Sequence, residues 1–287
     1  MNDEAARGTG ARAGGGLLDL HTHSTASDGL LTPAQLVALA DERGLRTLAL
    51  TDHDTIAGLP EASAAAVAAA LRFVPGVELS THVEAGEVHM LGYFVDTEDA
   101  ALRAALARFR TAREGRAEEM VARLGAAGAP IALARVHAFA DGGSIGRPHV
   151  ARALIEAGHA TSLNEAFERW LVRGRPGYVE CFRLTPPDAI RLIRAAHGVP
   201  VLAHPHSVDD LAGLLPQLLA ARLQGMECHY GDYDEPRKRD YLALAKRHGL
   251  VATGGTDYHG GSGAHRRPLG SVYIPAQCVD DLAARRP

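Results

Sequence analysis

The chain predicts an α/β fold built on a parallel sheet, and three observations lead there. Short apolar runs alternate with helix-length amphipathic segments over residues 17–95 and again from 183 onward; most helical segments stop at glycine; and polar side chains collect where the apolar runs end. Nearly continuous apolar strands are what a sheet buried on both faces by helices requires. A closed barrel and an open doubly wound sheet both gather their functional groups at the carboxyl ends of strands, so this pattern alone leaves the choice between them open.

LLDLHTH reads as the first strand, and LTPAQLVALADERG as the first helix, with Thr32 as N-cap, Pro33 at the first helical position, Gln35 completing a capping box and Gly44 as the stop. LRTLALTDHD is the second strand, EASAAAVAAALR the second helix, FVPGVELS the third strand and EVHMLGYFV the fourth. The grammar returns in TPPDAIRLIRAAHG, with Thr185 as cap, Pro186 at the first helical position and Gly198 as stop, leading into VPVLAHP. It repeats through LLPQLLAARLQG into MECHY, and through DEPRKRDYLALAKRHG into LVATGGTDYH, which makes about seven strands. Between residues 96 and 182 the pattern changes to long amphipathic helices without clear strands between them, and this segment reads as a helical insertion near the functional face. The expected organisation is a loose tail over 1–16, a discontinuous domain over 17–95 and 183–287, and the insertion over 96–182.

At 287 residues, with 46% hydrophobic and 22% charged residues, the chain has material for a sizeable core. Its formal charge of −4 argues against a protein that wraps duplex DNA, though not against a small anionic ligand in a locally basic pocket. Three cysteines without CxxC spacing suggest neither a disulfide framework nor a thiolate zinc site, and a reducing cytoplasm fits best. No run approaches a membrane span, and the first residues lack the apolar core of a signal peptide. Histidine is the outlier, with fifteen copies, several of them at strand ends.

In DLHTHSTASDG, His21 and His23 stand two apart on a strand and so project from one face as a chelating pair. Asp52 to Asp54, Glu78, His89, His204, Glu227, Asp257 and His259 fall at or near the ends of later strands. DLHTHSTASDG, TDHD, GVELS, EVHMLGY, VLAHP and GGTDYHG, in that order, resemble the polymerase and histidinol phosphatase (PHP) family of metal-dependent phosphoesterases. The resemblance implies a distorted (β/α)7 barrel with an inserted helical subdomain. It also implies that His21, His23, Glu78 and Asp257 hold one metal, that Glu78 bridges to a second completed by His89 and His204, and that Asp28, His53 and His259 form a third position. Nitrogen and carboxylate donors of this kind suit two or three divalent ions, Mn²⁺ first, with Fe²⁺, Zn²⁺ or Mg²⁺ as alternatives. The nucleophile would then be a metal-bound hydroxide rather than a side chain.

GRPHVAR and RGRPGYV further resemble the branch that removes the 3′-phosphate of nucleoside 3′,5′-bisphosphates, some members of which degrade short RNA from its 5′ end. The expected substrate is therefore a small nucleotide, converted from pAp to AMP and phosphate, with short single-stranded RNA as an extension. Histidinol phosphate, or nucleotide binding by a non-catalytic metal-stabilised module, are the rival readings. Arg147 and His149 are the leading candidates for phosphate contact, followed by Arg175 and His206. Asp19 is a candidate acceptor for a ligand's second ring nitrogen. The arginines at 103, 108, 110, 113 and 116, mixed with glutamates, read as a solvated helix face.

Overall fold

The computed structural model describes residues 18–84, 86–180, 184–261 and 267–287; the expected tail, Cys181 and His265 lie outside them. Seven strands form one sheet in chain order: β1 (Leu18–Asp19), β2 (Thr47–Leu50), β3 (Arg72–Val83), β4 (Gly86–Tyr93), β5 (Val199–Leu202), β6 (Gly225–Tyr230) and β7 (Val251–Gly255). A bridge between Thr22 and Tyr258 brings the last strand back to the first, and the His23 amide donates to the Tyr258 carbonyl at 2.8 Å. The sheet is thus a nearly closed barrel.

One strand departs from the expected direction. β4 runs antiparallel to both β3 and β5, pairing Glu78 with Leu91 and Met90 with Leu202. The reason is chain length: a parallel crossover needs a dozen or more residues, and the step from Val83 to Gly86 permits only a hairpin. The remaining neighbours are parallel.

Helices α1 (Pro33–Glu42) and α2 (Leu59–Ala68) follow the first two strands. The capping box of α1 is present, with Thr32 and Gln35 satisfying each other's backbone amides. After β4 come α3 (Ala100–Ala126), α4 (Leu133–Ala140), α5 (Arg147–Glu156) and α6 (Leu163–Ala166), the last continuing as a π-helical turn over Phe167–Leu171. Then α7 (Pro186–Ala195), α8 (Leu211–Ala220), α9 (Glu235–Arg247) and α10 (Gln277–Ala283) alternate with or follow the later strands.

The barrel's apolar residues are shared among several clusters. Val77, Leu79, Met90, Leu202 and Met226 pack with α7 and with Leu102, Leu106 and Phe109 from the start of α3. The later part of α3 leaves this core and joins a separate one, with Met120 and Leu124 against Val136, Leu154 and Leu171. Each fully buried leucine contributes about 1.5–3 kcal/mol relative to exposure, so α3 is anchored at both ends. Its middle is thereby held over the carboxyl ends of the strands.

Candidate metal centre

Strand ends deliver the polar residues to one place. His53 pairs with Glu78 in an isolated parallel bridge just beyond β2, with the Asp54 amide donating to the Glu78 carbonyl at 2.8 Å. Opposite, β7 approaches β1 so closely that a Cβ on Gly255 would lie 2.3 Å from the His21 Cβ. Asp54, His204 and Asp257 take positive φ values of 53°, 23° and 52°, a region disfavoured for residues with side chains, and such outliers gather at functional sites. These turns help aim the side chains into the barrel mouth.

Glu78 lies at the centre. Its Oε2 is 3.2 Å from His21 Nε2, 3.2 Å from His23 Nε2 and 3.0 Å from His53 Nδ1. Its Oε1 is 3.0 Å from His89 Nδ1 and 3.1 Å from His204 Nε2. Asp257 Oδ1 lies 3.3 Å from His21 Nε2 and 3.1 Å from His23 Nε2. His259 Nε2 faces Asp28 Oδ1 at 3.3 Å. Three sets have donor atoms within 4.8 Å of one another: His21, His23, Glu78 and Asp257; His53, Glu78 and His89; and His23, Asp28, His53 and His259. The structure thus brings all nine expected ligand positions into one cluster. It also places His53 between two sets, and His204 beside Glu78 but outside the second set.

The fit to metal can be judged from the atoms themselves. His21 Nε2, both ring nitrogens of His23, His53 Nδ1, His89 Nδ1, Glu78 Oε2 and Asp257 Oδ1 are buried without a hydrogen bond among the described residues. A buried polar atom left unsatisfied costs about 1–3 kcal/mol, so such a convergence calls for a cation. Nitrogen and carboxylate donors suit divalent first-row ions.

Outer partners orient the rings. His21 Nδ1–H donates to Glu227 Oε1 at 3.0 Å, which leaves Nε2 as a lone-pair donor toward Glu78 and Asp257. Glu227 Oε2 also accepts from the His204 backbone amide at 2.7 Å. His259 Nδ1–H donates to the Asp257 carbonyl at 2.8 Å, again leaving Nε2 pointed inward. Asp19 does not take the ring-acceptor role expected of it. It accepts from the backbone amides of His21, Thr256 and Gly270 and from the Thr256 hydroxyl, and so ties β1 to the residues following β7. Asp52 braces the loop after β1, accepting from the Ser24 amide and from the hydroxyls of Ser24 and Ser27.

Burial opposes charge throughout this cluster, and neighbouring charges decide the outcome. For His23, burial is outweighed by the adjacent Asp257 and Glu78 carboxylates, and its pKa rises to about 10. Burial would raise the Glu78 carboxyl, but His53, His21 and His89 hold it well below its usual range. For His53 burial dominates despite Glu78 and Asp28, and its pKa falls to about 3.

Arg147 lies at the edge, in a cavity of about 170 Å³ lined also by Asp28, His53, His89 and Arg113. Its guanidinium pairs with Glu87 at 2.8 Å and lies 5.8 Å from the Phe167 ring centroid. His149 is buried, and its Nδ1 accepts from the Gly146 amide at 2.9 Å. Burial lowers its pKa to about 4, so it is neutral with the proton on Nε2. Arg175 is exposed in the turn after Leu171 and is not among the residues lining that cavity. His206 is exposed beside His204, with ring centroids 6.1 Å apart.

The arginine-rich face of α3 is only partly solvated. Arg103, Arg108 and Arg110 are exposed, whereas Arg113 and Arg116 turn inward. Arg113 binds Asp54 and the Ser80 hydroxyl, and Arg116 donates to the Val179 carbonyl at 2.8 Å. Charge alternation suggested solvent, but Arg113 is turned onto the barrel and Arg116 is covered by the segment that follows the helix.

A barrel whose mouth holds such a cluster defines a metal-dependent hydrolase of phosphoester bonds, and comparison with known proteins gives the family. The model for the PHP domain matches residues 19–260, and the chain belongs to that family. The chain is 40% identical to the 5′-3′ exoribonuclease Rnm of Salmonella typhimurium, covering 85% of each protein. It is 37% identical to the 3′,5′-nucleoside bisphosphate phosphatase of Chromobacterium violaceum, over 84% of this chain and 87% of that one. The structure of a proposed metal-dependent phosphoesterase from Bifidobacterium adolescentis superposes with a TM-score of 0.86 at 31% identity, covering 94% of this chain and 96% of the other.

Proposed function

We propose that this protein removes the 3′-phosphate of nucleoside 3′,5′-bisphosphates, converting pAp to AMP and phosphate. The metal ligands in this reading are His21, His23, Asp28, His53, Glu78, His89, His204, Asp257 and His259, with Mn²⁺ as the first choice of ion. The observation behind it is the Glu78 carboxylate, one oxygen facing His21, His23 and His53 and the other facing His89 and His204. Divalent ions held by these residues would activate water and neutralise phosphoryl oxygens. The water oxygen would join phosphorus in line as the bond to the 3′ oxygen breaks, one proton staying with the released phosphate and the other ending on the 3′ oxygen as the hydroxyl of AMP. The similarity to the Chromobacterium phosphatase supports the nucleotide as substrate.

The chain's own groups have separable tasks. Arg147, paired with Glu87 in the free protein, would grip phosphate oxygens. His149, neutral and fixed by Gly146, would offer its Nε2 proton as a hydrogen bond. In this reading residues 96–182 form an insertion that carries both groups, Arg147 in the cavity beside the cluster and His149 in a neighbouring one with Ser27 and Arg152.

A second reading, exonuclease action on short 5′-phosphorylated RNA, is favoured by the 40% identity to the Salmonella exoribonuclease. A phosphate- and nucleotide-release panel with Mn²⁺ tests both, using pAp, histidinol phosphate and a 5′-phosphorylated RNA oligomer. The bisphosphatase reading expects pAp to be turned over far faster than histidinol phosphate. Turnover in the reverse order overturns it.

A further inference from the structure

We propose that His206, Tyr230 and Tyr233 form a stacking platform that receives the nucleobase of the substrate, an inference that rests on the nucleotide reading above. Tyr230 ends β6, His206 lies in the 3-10 turn Pro205–Ser207 after β5, and Tyr233 precedes α9. Each pair among the three rings has its centroids 5.3 Å apart. The patch begins where the metal cluster ends: the His204 ring lies 6.0 Å from Tyr230 and 6.1 Å from His206. The Tyr230 hydroxyl also donates to Asp257 Oδ2 at 2.9 Å. A ring lying on this patch is therefore adjacent to a phosphate held at the cluster.

Preorganisation distinguishes the patch from a chance grouping of side chains. The Tyr233 hydroxyl and His206 Nδ1 are 3.3 Å apart, the Tyr233 amide donates to the Tyr230 carbonyl, and Tyr241 backs Tyr233 at 5.1 Å between centroids. The chain has only seven tyrosines, and three of them stand here. Tyr230 and Tyr233 belong to none of the buried apolar clusters, and His206 is exposed. A polar cavity of about 160 Å³ is lined by Tyr230 together with Asp257, His259 and Arg267.

Rigid aromatic faces with polar edges suit a flat heteroaromatic ring better than an alkyl chain. Stacking of this kind accepts any base, because every base has a π face. The platform predicts a strong requirement for a base and weak discrimination among bases.

Calorimetric titration of the Mn²⁺-loaded protein with AMP and with ribose 5-phosphate tests this. Wild type should bind AMP on the order of tenfold more tightly than ribose 5-phosphate, with UMP close to AMP. Tyr233→Leu should reduce that preference to about twofold while ribose 5-phosphate binding holds, and Tyr233→Phe should retain it. Equal binding of AMP and ribose 5-phosphate by wild type overturns the platform, as does a preference that survives in the Tyr233→Leu, His206→Ala double variant. If AMP preference is intact while pAp releases no phosphate, the platform is supported and the bisphosphatase reading fails.

Discussion

Arg113, midway along α3, holds Asp54 at the mouth of the barrel through Nε at 2.9 Å and through a second contact from Nη2. Asp54 follows His53 directly, so a helix far along the chain fixes the backbone that presents this imidazole. The same guanidinium donates to the Ser80 hydroxyl and the Ile145 carbonyl, both near the cluster. Arg113→Met would leave the Asp54 carboxylate buried without its cation. Stability should fall by roughly 3–5 kcal/mol in urea unfolding, and Asp54→Asn in the same chain should restore a large part of it. A loss below about 1 kcal/mol would mark the pair as surface-like.

Glu227 touches two candidate ligands at once, through the His21 ring and the His204 amide. Glu227→Gln keeps the shape but offers only one acceptor oxygen. It should weaken metal affinity about 10- to 100-fold with little change in fold, since outer partners set ring orientation and basicity. Competition with a chromogenic chelator would show it. Unchanged affinity would reduce Glu227 to a packing role.

Both residues bear on what the sequence made legible. The alternation of strands and helices and the Thr32 cap could be read from local pattern, and the nine candidate ligand positions, which the structure gathers into one cluster, from motif order and family resemblance. Direction and pairing were harder. The reversal of β4 follows from the short connection after Val83, a length signal that apolar runs hide. Glu227 looked like any strand-end carboxylate, because a hydrogen bond to His21, 206 positions away, has no local signature. Arg113 and Arg116 looked solvated for the related reason that the residues covering them lie elsewhere in the chain. Asp19 was visible as important, but its partners Thr256 and Gly270 were not.

His149 makes stability depend on acidity. Burial holds its pKa near 4 in the fold, against 6.5 for an ordinary histidine, so it is neutral where the unfolded chain begins to take up a proton. Its contribution is fully present above about pH 6.5 and is lost progressively as pH falls toward 4, by up to ~3 kcal/mol. His229, buried with a pKa also near 4, acts in the same direction. Unfolding free energies of wild type and His149→Gln at pH 7.5, 6 and 5 should converge as the pH drops. Parallel curves would remove His149 as a source of the slope.

Arg147 and Glu87 set up a competition that kinetics can separate. The guanidinium is paired with Glu87 at 2.8 Å, so a phosphate arriving in the cavity must share or displace that carboxylate. Arg147→Ala should therefore raise KM for pAp by about 10-fold or more, as expected for losing a charge-assisted contact worth roughly 1.5–3 kcal/mol. Arg147→Lys should recover only part of it, because an ammonium lacks the planar fork with which a guanidinium grips two oxygens side by side. Glu87→Gln works the other way: with the competing charge gone, Arg147 is released toward the substrate and KM should fall. If Glu87→Gln instead raises KM as Arg147→Ala does, the carboxylate's role is to hold the guanidinium in place, and the pair acts as one positioning unit rather than as two rivals for the same cation.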